Sequence, residues 1–142
     1  MVKKISHIGV AVRSLEEQVP FYRDVLGLEY AGAETVEDQK VKVAFFKVGD
    51  TRIELLEPLS EDSPVAKFIE KRGEGVHHIA YQVESCDAAL KKMEEAGLRL
   101  IDREPRKGAG GHKIAFLHPR STHGILTELT EEHEEDTGED NG

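Results

Sequence analysis

The sequence predicts an α+β fold made of two similar halves within one structural domain. Three observations predict it. A segment from Ser6 matches a segment from His77 part for part, both halves carry short alternating apolar strands, and each half has a helix between a Ser cap and a Gly stop. At 142 residues the chain suits one core shared by two small halves rather than two independent domains.

The elements follow in order. SHIGVAV reads as a strand, and SLEEQVPFYRDVLG as a helix opened by a Ser14–Glu17 capping box and closed at Gly27. Pro20 conflicts with that helix, because it removes a hydrogen bond and bends the axis. VKVAFFKVGDTRIELLEP, from Val41, is two strands around a Gly-Asp turn. DSPVAKFIEKRG has Ser63 as cap, Pro64 at the first helical position and Gly73 as stop, so it reads as a linking helix. HHIAYQV starts the second strand–helix series, whose helix ends at Gly97, and HKIAFLHPRSTHGILTELTE supplies two more strands. The boundaries are then 1–59 for the first module, 60–75 for the linking helix and 76–130 for the second module. Residues 131–142, in an acidic run that begins at Thr130, read as a solvated, disordered tail that includes His133.

The repeat separates two adjacent histidines. SHIGVAV over HHIAYQV pairs His7 with His78 and leaves His77 opposite Ser6. Strand alternation places His7, Gly9 and Ala11 on one face, and His78, Ala80 and Gln82 on the matching face, with His77 among core residues. The same comparison pairs Glu54 in TRIELLEP with Glu128 in GILTELTE, each a carboxylate inside an apolar strand. Taken singly, these read as satisfied core histidines and solvent-facing glutamates. At equivalent repeat positions, His7, Glu54, His78 and Glu128 read as one set suited to a divalent cation such as Co, Ni, Zn, Mn or Fe.

Composition narrows the function. A net charge of −9 speaks against nucleic-acid binding, no stretch has the roughly 20 apolar residues of a membrane span, and a cytoplasmic location is expected. Cys86 is the single cysteine, expected to be structural rather than nucleophilic. The Lys107–Gly111 run, with Gly110 and Gly111, has two readings: backbone N–H groups around an anion, or a flexible hairpin. Lys107, Lys113 and Arg120 read as a basic rim for a phosphate-bearing substrate, whereas His112, His118 and His123 read as turn residues.

With these residues in place the chain resembles the vicinal oxygen chelate superfamily, and within it the methylmalonyl-CoA epimerases. The resemblance rests on TRIELLEPLSEDSPVAKFIEKRGEGVHHIAYQV and GAGGHKIAFLHPRSTHGILTEL and spans about residues 5 to 130. It implies paired βαβββ modules forming an open cupped barrel around one divalent ion, usually in a homodimer, acting on an acyl-CoA. It puts the metal ligands at His7, Glu54, His78 and Glu128, with Glu54 where some epimerases have Gln. It also implies epimerisation by removal and return of an α-proton, with Glu128 as one acid/base group and Lys42 where some relatives carry the other as a glutamate. The alternatives within the resemblance are a glyoxalase I-type lyase on a thiol conjugate and a metal-free small-molecule binder. A dioxygenase would need a two-His, one-carboxylate iron site.

Overall fold

The computed structural model describes residues 1–132; the tail expectation for residues 133–142, with His133, lies outside them. Among the described residues the order is β1 (Val2–Ala11), α1 (Leu15–Pro20), β2 (Glu29–Val36), β3 (Val41–Val48), β4 (Thr51–Pro58), α2 (Pro64–Arg72), β5 (Gly75–Val83), α3 (Cys86–Glu95), β6 (Arg106–Lys107), β7 (Lys113–Leu117) and β8 (Thr127–Glu131). The protein is therefore mixed α+β, with a βαβββ series on each side of α2. The strands hydrogen-bond in two series, β2-β3-β4-β1 and β5-β8-β7-β6. No helix of the described residues is long and apolar enough to cross a membrane.

Packing divides the chain into two units, one of His7–His78 and one of Met1–Ser6 with the segment from Ile79 onward. The division passes through β1 and β5, so each of these strands starts in one unit and ends in the other, and α2 belongs with the first unit.

In the His7–His78 unit, β1 runs parallel to β4, and β4, β3 and β2 pair antiparallel. Its core is Val12, Leu15, Ala44, Phe46 and Leu55, with Val19 and Tyr22 of the helical segment packed against it. Ser14 Oγ accepts from the Glu17 N–H at 3.2 Å, which is the expected cap. The Pro20 conflict takes a definite form: α1 stops there and continues as a π-helical turn over Phe21–Val25, with the Leu26 N–H bonded to the Phe21 carbonyl at 2.9 Å. Ser63, fully buried, caps α2 by accepting from the Val65 and Ala66 N–H groups.

In the second unit, β5 runs parallel to β8, with β8, β7 and β6 antiparallel in turn. Val83, Cys86, Ala89, Leu90, Ala115, Leu117 and Leu129 form its core. The Cys86 thiol lies in this core with its pKa pushed up to about 12, chiefly by burial and then by the Glu131 carboxylate, so it is the structural residue expected. The acidic run departs from expectation at its start. Thr130 lies within β8, and Glu132 is 3% exposed, accepting hydrogen bonds from the Ser6 and Thr130 hydroxyls. The Glu132 carbonyl accepts from Gln82 Nε2 at 2.8 Å. Strand pairing and hydroxyl donors hold this carboxylate inside, where composition alone predicts a solvated end.

Candidate metal centre

Strand alternation in β1 and β5 brings His7 and His78 together. Both are buried, their rings meet edge to face with centroids 5.3 Å apart, and their Nε2 atoms lie 3.2 Å apart. A glycine makes room for this pair. A Cβ on Gly9 would sit 2.3 Å from His78 Cε1 and within 2.8 Å of both ring nitrogens. Glu54, on β4 and buried, has Oε2 3.4 Å from His7 Nδ1 and 3.2 Å from both Nε and Nη2 of Arg52. A buried carboxylate needs a cationic or hydrogen-bonding partner, and the Arg52 guanidinium supplies one here.

In the second unit Glu128 sits on β8, buried, paired with Ala80 on β5 and Phe116 on β7. The chemistry of the donors favours a metal. His7 and His78, within one unit, each offer a ring nitrogen to such an ion, and Glu54 lies beside His7. Two imidazole nitrogens on one ion, at bonds of about 2.0–2.1 Å, lie about 2.8–3.4 Å apart for octahedral to tetrahedral angles. The 3.2 Å between the two Nε2 atoms falls inside that interval. Without a cation one of those nitrogens must carry a proton directed at the other, since two lone pairs at that distance repel.

The description Glyoxalase/Bleomycin resistance protein/Dioxygenase superfamily matches residues 6–116. The chain belongs to this superfamily. The uncharacterized protein YqjC of Bacillus subtilis is 49% identical, covering 92% of this chain and 93% of that protein. The ethylmalonyl-CoA/methylmalonyl-CoA epimerase of Cereibacter sphaeroides is 42% identical, over 91% of this chain and 98% of its own length. A solved methylmalonyl-CoA epimerase in complex with methylmalonyl-CoA and NH4+ is 41% identical, covers 94% of this chain and 97% of its own, and superposes with a TM-score of 0.91. The protein is thus a superfamily member related to the methylmalonyl-CoA epimerases.

The remaining residues expected at the site are placed differently. Lys42 pairs with Glu57 on β4, one residue out of phase with the Phe45–Glu54 pair, so it projects from the opposite face of the sheet. There it lines a cavity of about 330 Å³ with Leu15, Val19, Tyr30 and Ala44, on the side of α1. On the Glu54 face β3 offers Val41, Val43 and Phe45 instead. Lys113 is likewise out of phase with Glu128: it pairs with Glu131 and its Nζ lies 3.6 Å from Asp87 of α3. Lys107 is cross-strand from Lys113, and Gly110 and Gly111, at φ of +72° and +77°, make the turn between them. Arg120 follows the far end of β7, in the short 3-10 turn Pro119–Thr122, at the other end of that strand from Lys113.

His118 and His123 are turn residues, as expected. His118 Nδ1 accepts from the Arg120 N–H at 3.1 Å, and its pKa is lowered by desolvation and by Arg99 and Arg120. His123 takes the left-handed conformation that ends the turn. One cation was missed: Arg106 pairs with Ile114, in phase with Phe116 and Glu128, and its Cζ lies 5.3 Å from the Phe116 ring centroid. A two-residue strand gives no sequence period from which to read that face.

Proposed function

We propose that this protein is a metal-dependent isomerase that epimerises (R)- and (S)-methylmalonyl-CoA. The observation that carries the reading is the full-length likeness to the epimerases, joined to the converging, buried His7 and His78. His7, His78 and Glu128 are the proposed ligands of one divalent ion, and Glu54 completes them by exchanging its Arg52 contact for the cation. When bound, that ion supplies a Lewis acid that draws negative charge from the carbon flanked by thioester and carboxylate.

The chain's own groups do the rest. Glu128 is the proposed acid/base group at that α-carbon, since a carboxylate in a buried strand site is poised to take and return a proton. Lys42, facing the α1 side, drops out of this role, and the apolar Val43 and Phe45 occupy the Glu54 side of β3. Arg106, stacked on Phe116, is the cation proposed to receive an anionic part of the CoA ester.

Proton NMR of methylmalonyl-CoA in D2O tests the reading, with a glutathione–methylglyoxal hemithioacetal in parallel. The expected result is loss of the α-proton only with metal-loaded protein, abolished by a chelator. Conversion of the hemithioacetal instead makes the protein a glyoxalase I-type lyase.

A further inference from the structure

We infer that His77 is a positioning residue that fixes the tautomer and ring orientation of His78; the inference builds on the metal reading above. His77 Nδ1 lies 2.9 Å from His78 Nδ1, a hydrogen bond in which one ring donates and the other accepts. His78 presents its other nitrogen, Nε2, toward His7. For Nε2 to offer a lone pair, the proton of neutral His78 must sit on Nδ1, which makes His78 the donor and His77 the acceptor. A metal-ligating imidazole is held in this way by a partner on its far nitrogen, and loss of such a partner costs about 10–100-fold in metal affinity.

His77 is itself held in place. Its ring packs edge to face on Phe68 of α2, with centroids 5.0 Å apart, and the Arg72 guanidinium lies over the Phe68 ring, its Cζ 5.7 Å from the centroid. The His77 and His78 rings stand at 86° to one another. The linking helix thus sets one histidine, which sets the next. Free rotation of the His78 ring would otherwise exchange which nitrogen faces His7, at an entropic cost to ion binding.

Two substitutions separate this role from packing. His77→Phe keeps an aromatic ring against Phe68 and removes the acceptor. His77→Asn gives up the ring but places an amide oxygen near the Nδ1 position. Co²⁺ and Zn²⁺ affinities are measured by competition with a chromogenic chelator, and the His78 tautomer is read by ¹⁵N NMR of metal-free protein. The expected result is affinity reduced 10–100-fold in His77→Phe, with His78 shifting from the Nδ1–H tautomer to a mixture, and affinity within about threefold of wild type in His77→Asn. A His77→Phe protein with unchanged tautomer and affinity within twofold overturns the inference. So does a His77→Asn protein that loses as much affinity as His77→Phe. Wild-type protein that binds neither ion refutes the metal reading instead, and the tautomer measurement then decides the role of His77 by itself.

Discussion

Gly9→Ala is a one-carbon test of the site. The position has ordinary backbone angles, so the substitution acts through space alone. The added Cβ would stand 2.3 Å from His78 Cε1, 2.6 Å from Nδ1 and 2.8 Å from Nε2. Ordinary carbon contacts begin near 3.4 Å, so the ring must retreat by roughly 1 Å, several times the ~0.2 Å within which a metal–ligand distance is tolerated. His78 is buried and flanked by His7 and His77, both in hydrogen-bond reach, so a retreat of the ring breaks one of these contacts. Overpacking of this kind costs about 1–3 kcal/mol. At this chain length that corresponds to a Tm lowered by about 3–10 °C in metal-free protein. Metal affinity is expected to fall by at least ~100-fold, more than for loss of an outer partner, because a ligand itself is displaced. Differential scanning calorimetry with and without Zn²⁺, together with chelator competition, measures both effects. A variant whose Tm moves by less than 1 °C and whose metal affinity is unchanged would refute the placement of Gly9 beneath the His78 ring.

Further consequences are as direct. Lys42→Met is expected to leave α-proton exchange and metal affinity within twofold of wild type, because Lys42 faces the α1 side; a tenfold loss of exchange returns it to the mechanism. Arg106→Ala is expected to raise KM for the CoA ester about tenfold with kcat within twofold, measured by coupled steady-state assay; an unchanged KM removes the anion-binding role. The folded Cys86 thiol keeps its proton to about pH 12, against about 9 unperturbed, so burial contributes stability that is present below pH 9 and lost as pH rises through that window. Alkylation by iodoacetamide at pH 8 should therefore track unfolding, and rapid labelling of native protein would contradict this. Val25, Leu26 and Phe21 are 74%, 53% and 45% exposed, and the homodimer that the family resemblance implies would give such residues a surface to bury. Sedimentation is expected to give a dimer that Leu26→Glu converts to monomer; wild-type protein that sediments as monomer sinks the dimer.

The fold was legible because its signals are local and repeated. Ser14, Ser63 and Ser85 each cap a helix through the side-chain oxygen, and the two strand–helix series match in register from His7 and His78 onward. Even Pro20 announced its break, although not that a π-helical turn would absorb it. Glu54 and Glu128 were legible for a related reason: each is followed by a leucine, Leu55 and Leu129, that alternation turns into the core of its unit. A charged residue beside a buried apolar one on a paired strand has one open face to occupy.

The errors share the same origin. Lys42 and Val43 are neighbours, and a shift of one position exchanges the face each occupies, so an alignment that is nearly right names a residue on the wrong side of the sheet. His77 shows the limit from the other side. Alternation sends it away from His78, correctly for its ring, which reaches Phe68, yet the Nδ1 atoms still meet at 2.9 Å. Period-two reasoning describes where Cβ points, and an imidazole extends well beyond Cβ, far enough to turn back toward its neighbour when a helix such as α2 fixes its outer edge. The proposed ligands can thus be read from alternation, whereas the proposed positioning residue is set by which helix packs where, and that is written in contacts between α2 and β5 rather than in the period of either.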